Sequence, residues 1–144
     1  MKYLGLDIGR KAIGIAVGEQ LASELVTLRA AKDENFYQEP ARGRSMGEIG
    51  SFVETENTSA IVVGLPVKED GSHSEESKLI EAYATELESK LGIKLFRVDE
   101  TLTSYMAEEL LEGQGAERKE IEERRDQLSA QLILQQFLEE NAPT

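Results

Sequence analysis

Two periodicities organise the chain. Residues 2–8 alternate: Leu4 and Leu6 fall on one side, Gly5 and Asp7 on the other, and Gly9-Arg10 punctuates the run. Residues 12–18 alternate again, with Ile13, Ile15 and Val17 facing one way and Ala12, Gly14 and Ala16 the other. A strand face made only of small residues implies that something packs closely against it. A third strand is expected over 24–30. The short connections make this meander antiparallel.

Beyond it the pattern changes. Residues 31–43 are polar and contain Pro40 and Gly43, which reads as a loop. A helix is expected over 45–56, with Met46, Ile49, Phe52 and Val53 on one face. Residues 60–66 (Ala-Ile-Val-Val-Gly-Leu-Pro) form a short continuous apolar run, as in a central strand buried on both faces. Ser72 and Glu75 have capping-box spacing before a helix over 73–91, which Gly92 ends. Residues 93–98 read as a strand. A helix over 104–112 should turn Met106, Leu110 and Leu111 inward, with Thr103 and Ser104 as its caps. After a two-glycine loop, a last helix spans 119–140. The order β-β-β-α-β-α-β-α-α predicts one α/β domain over 1–144: a mixed five-stranded sheet, meander plus βαβ units, flanked by helices.

Composition narrows the chemistry. The 144 residues include no Cys and one His, which excludes thiolate metal sites, disulfide scaffolds and cysteine nucleophiles. No apolar run approaches the roughly 18 residues of a membrane span. Asp7 comes too early for a signal peptide, so a cytoplasmic protein is expected. The net charge of −12 has the wrong sign for a protein that coats nucleic acid. Any nucleic-acid chemistry must rest on local charge or bound cations.

Of the 28 acidic residues only five are Asp, and three acidic positions stand out. Asp7 ends an apolar strand, Asp99-Glu100 ends a second, and Asp126 shares a helix face with Ala130, Ile133 and Phe137. No Lys or Arg lies one turn away on that face. Carboxylates converging there would repel one another, and a hard divalent cation such as Mg²⁺ or Mn²⁺ would resolve the repulsion. Two such ions roughly 3.5–4 Å apart are suited to phosphodiester hydrolysis. Each acid also has a plainer reading: a turn former at Asp7, a solvated or capping pair at Asp99-Glu100, a frayed helix end at Asp126.

These places also carry a family likeness. The segment Leu4-Gly5-Leu6-Asp7-Ile8-Gly9-Arg10-Lys11-Ala12-Ile13-Gly14 resembles the opening of the YqgF/RuvX family, Holliday junction resolvases also described as pre-16S rRNA nucleases. Val62 to Pro66 with Asp70-Gly71-Ser72, then Val98-Asp99-Glu100-Thr101-Leu102-Thr103, then Asp126 to Ala130 with Ile133-Leu134-Gln135, resemble its later motifs in the same order. The resemblance implies an RNase H-like fold and a metal-dependent nuclease using Mg²⁺ or Mn²⁺, with Asp7, Glu100 and Asp126 as catalytic metal ligands and Asp99 in reserve. It further implies nucleic acid as partner: structured RNA in 5′-end processing of pre-16S rRNA, or branched DNA, for which a homodimer would be needed. The chain departs from the family at Thr101, where Arg is usual, and in the net-acidic stretch before the last helix.

Arg10 and Lys11, flanking the expected site, and Lys68 in the loop after Gly64-Leu65-Pro66 are the candidate substrate contacts. Arg42 and Arg44, in the expected long loop, could reach substrate or only solvate the surface. His73 could transfer a proton or stand idle. Two other functions compete: an ATP-binding fold, because Asp-x-Gly at a hairpin also opens such domains, and an inactive nucleic-acid-binding scaffold.

Overall fold

The meander and the two crossovers build one sheet. In the computed structural model, which describes residues 1–67, 70–100 and 103–141, the strands are β1 (Tyr3–Ile8), β2 (Ala12–Gly18), β3 (Ala22–Arg29), β4 (Ala60–Leu65) and β5 (Lys94–Asp99). The helices are α1 (Ala41–Thr55), α2 (Glu75–Leu91), α3 (Thr103–Gly113) and α4 (Arg118–Glu140). The sheet order is β3-β2-β1-β4-β5, antiparallel across β1, β2 and β3 and parallel across β1, β4 and β5. The expected α/β architecture, a mixed five-stranded sheet with flanking helices, is the one observed.

Strand alternation gives the sheet two unlike faces. Leu4, Leu6, Ile8, Ile13, Ile15, Ile61 and Val63 pack with Met46, Ile49, Tyr83 and Leu87 of α1 and α2 into the larger core. Ala16, Val62 and Val98 pack on the other face with Ala130, Ile133, Leu134 and Phe137 of α4. The small side chains are what bring α4 down. A Cβ on Gly14 would lie 1.9 Å from the Asp126 carbonyl oxygen, and one on Gly5 would lie 2.7 Å from Leu134 Cβ. The face of small residues in 12–18 therefore has its close neighbour, and that neighbour is the helix carrying Asp126.

Several local expectations are corrected. α1 starts at Ala41, so residues 41–43 and both Arg42 and Arg44 are helical rather than in a loop. Arg42 Nε donates to Glu86 at 2.8 Å and Arg44 pairs with Glu34, so both arginines brace the scaffold. β3 begins at Ala22, two residues before the alternation became legible. The cap of α2 is Ser74, whose Oγ accepts from the Ser77 amide at 3.1 Å; Ser72 instead donates to Asp70 Oδ1 at 2.6 Å, closing a turn. On α3 the buried stripe is Ala107 and Leu111, set against Ile121 and Leu128, while Met106 and Leu110 are exposed. The helix is rotated by the i, i+4 pair that meets α4. The Thr103 and Ser104 side chains lie outside the described set. Among the described residues no helix is long and apolar enough to cross a membrane.

Candidate active site

Register places the first two acids. Asp7 pairs across the β1–β2 ladder with Gly14, and Gly14 is where the α4 backbone touches the sheet at Asp126. Asp7 and Asp126 are therefore neighbours because one residue has no side chain. The third acid arrives by the parallel strands. β1, β4 and β5 end at the same edge, and the Glu100 amide donates to the Leu65 carbonyl at 2.9 Å just beyond the β4–β5 ladder. Alternation then separates the Asp99-Glu100 pair: Glu100 is buried on the α4 face and Asp99 is exposed. A Cβ on Gly64 would meet Glu100 Oε2 at 2.7 Å and Ile133 Cδ1 at 2.6 Å, so Gly64 gives the Glu100 carboxylate its place.

The electrostatics follow from this crowding. Asp7 keeps a strip of exposed surface, yet burial, then Glu100, then Asp126 raise its pKa well above the ordinary carboxylate value, while Arg125 pulls it back. Glu100 is pushed up to about 7, by burial first and by Asp99 second. The Ser129 hydroxyl is fully buried against Asp7 and eases its charge, yet it meets full hydrogen-bond geometry with none of the described residues. A buried polar oxygen so loosely held is costly, and here it stands beside Asp7, whose charge Glu100 and Asp126 both disfavour.

This donor set of carboxylate and hydroxyl oxygens, with no thiol or imidazole, matches what a hard divalent cation takes. Among the described residues no group of three is already arranged around a single ion position. The fit lies in the donors and in the repulsion that Glu100 and Asp126 exert on Asp7. The cation missing from the face of Asp126 in the sequence proves to be its chain neighbour: Arg125 Nε lies 3.8 Å from Asp126 Oδ1.

The substrate candidates divide. Arg10 stands at the rim, 5.7 Å over the Tyr37 ring and 3.6 Å from Glu76, while the Tyr37 hydroxyl donates to the same Glu76 at 2.8 Å. Lys11 donates to the carbonyls of Ala31, Lys32 and Glu34, tying down the segment before α1. Lys68 lies outside the described residues, as does Thr101. His73 Nδ1 is engaged with Ser77 Oγ at 3.0 Å. Sequence reasoning missed Gly64 and Ser129. The second had a signal, because position 129 follows Asp126 by one helical turn.

A mixed sheet in the order 3-2-1-4-5, with a carboxylate at the end of its first strand, another past its last and a third on a helix laid across it, defines an RNase H-like nuclease domain. The comparisons agree. The family described as "RuvX: Holliday junction resolvase" matches residues 1–140, and the chain belongs to that family. A Syntrophus aciditrophicus protein named "Putative pre-16S rRNA nuclease" is 34% identical over 139 residues, covering 96% of this chain and 89% of that protein. Two solved structures share the fold at low identity. Thermus thermophilus RuvC in complex with a Holliday junction substrate has a TM-score of 0.60 at 13% identity over 92% of this chain and 89% of that one. The fowlpox virus Holliday junction resolvase has 0.57 at 12% identity over 97% and 99%.

Proposed function

We propose that the protein is a divalent-metal-dependent nuclease that hydrolyses phosphodiester bonds in structured RNA, trimming the 5′ end of pre-16S rRNA. The carrying observation is the convergence of Asp7, Glu100 and Asp126 at one sheet edge, enforced by Gly14 and Gly64. The relatives named for pre-16S rRNA support the substrate. Asp7, Glu100 and Asp126 would hold Mg²⁺ or Mn²⁺, in one or two positions, with Asp99 at the margin. The bound ion would polarise the phosphodiester and lower the pKa of an attacking water. The protein's own part is to keep the carboxylates in a partly dry, crowded place where losing protons to a cation is favourable. Arg10, steadied by Tyr37 and Glu76, would meet the strand's phosphates at the rim. The reading places the reaction in the cytoplasm.

A second reading rests on the family's description: the same site cutting branched DNA. It needs two copies to cut two strands, so it carries a homodimer, whereas trimming a single RNA strand requires only one copy. Labelled structured RNA and a four-way DNA junction, each incubated with Mn²⁺, Mg²⁺ or EDTA, separate the two. Wild type should cut the RNA only with metal, and Asp7→Asn should not. Cleavage of the junction alone, by a protein that elutes as a dimer, would select the second reading. Cleavage of neither by folded protein would favour an inactive scaffold.

A further inference from the structure

Arg125 sits between the acids of two helices. Its Nη1 donates to Glu108 Oε1 on α3 at 3.0 Å, and its Nε reaches only to 3.8 Å from Asp126 Oδ1. Other cations of this region are more fully engaged. Arg124 is closed between Glu24 and Glu120, Arg29 bonds the carbonyls of Glu122 and Glu123, and Lys11 is held by three carbonyls. Arg125 is the cation whose field eases the burden on Asp7. It is about one-third exposed, as is Glu108, so its one firm tie among the described residues is a partly solvated ion pair that another anion can replace. A guanidinium presents paired N–H donors that match two phosphate oxygens as well as a carboxylate.

We propose that Arg125 is a phosphate-contacting residue of the carboxylate site: it exchanges Glu108 for a non-bridging oxygen of the phosphodiester brought to Asp7 and Asp126, and Glu108 holds it in position until substrate arrives. The inference rests on the nuclease reading above. It differs from a simple α3–α4 strut in sign. For a strut, removing either partner does the same harm. For an exchanging arginine, removing Arg125 weakens the substrate complex and removing Glu108 strengthens it.

The test uses the full chain with Mn²⁺ and whichever of the RNA hairpin or the four-way DNA junction it cuts. KM and kcat are measured across a salt series for wild type, Arg125→Gln, Arg125→Lys, Glu108→Gln and the Gln/Gln double variant. Arg118→Gln, a removal of exposed charge on the same helix, is the control. Arg125→Gln should raise KM about tenfold and lower the slope of log KM against log salt by about one. Lysine should restore much of the loss. Glu108→Gln should lower KM, and that gain should vanish in the double variant. Equal loss of thermal stability in both single variants, with KM and salt slope matching Arg118→Gln, would overturn the proposal and leave a strut. If wild type cuts neither probe and behaves as Asp7→Asn does, the nuclease reading fails and the inference fails with it.

Discussion

The two faces of the sheet are built on opposite principles. Against α1 and α2 the strands present large aliphatic side chains, and the polar pair at the helix–helix contact is satisfied: Tyr83 and Ser45 share a 2.6 Å hydrogen bond. Against α4 the strands present Gly5, Gly14, Ala16 and Gly64, the helix backbone comes to the sheet, and the buried polar groups are carboxylates and an unpartnered serine. The first face gives up hydration of apolar surface for stability. The second spends stability on holding three acids together. Position and stability are thus separable here, and substitutions should tell the faces apart.

The largest effect is expected at Gly14. Alanine there cannot coexist with the Asp126 backbone, so Gly14→Ala should lower unfolding free energy by about 3 kcal/mol or more in urea melts and abolish cleavage. Gly47 on α1 has open space for a Cβ, and Gly47→Ala should raise stability by up to about 1 kcal/mol with activity unchanged. Similar losses at both glycines would erase the distinction between the faces.

Next come the acids themselves. Asp7→Asn removes a charge that burial and two neighbours disfavour, so with EDTA at pH 8 it should stabilise the protein by on the order of 1–2 kcal/mol while eliminating metal-dependent cleavage. A destabilised but active variant would place the chemistry elsewhere.

Glu100 gives a pH signature. Its raised value, about 7 against an ordinary 4.5, means that the native state holds a proton the unfolded chain has already released. Its contribution is therefore fully present below about 4.5 and is lost as pH rises to about 7. Metal-free melts across this window should show stability falling with pH, and Glu100→Gln should flatten that slope. The smallest effect belongs to the opposite face. Tyr83→Phe removes one of the two partners of the Ser45 hydroxyl, which still donates to the Arg42 carbonyl at 2.8 Å, and should cost about 1 kcal/mol without changing cleavage or metal dependence.

Much of this was legible without coordinates, for identifiable reasons. Alternation in residues 2–8 and 12–18 is a period of two, so Asp7 was assigned to the side away from Leu4 and Leu6, where it lies. The helical face of Asp126 followed from its spacing to Ala130 and Ile133. Errors fell where the signal is local and degenerate. Ser72 and Ser74 both precede Glu75, and only chain direction decides which one caps α2. Met106 and Leu110 looked like core, but α3 turns Ala107 and Leu111 to α4 instead.

The sequence alone determined the element order, the two-faced strands, the collinear family motifs and which acids are the candidates, because these depend on period and residue type within a few neighbours. Only the tertiary structure decided which of Asp99 and Glu100 turns inward, that Arg125 attends the site while Lys11 staples a loop, and that Gly14 and Gly64 make room for the acids. Those outcomes depend on backbones distant in sequence approaching within a side chain's width, and no local pattern encodes such a distance.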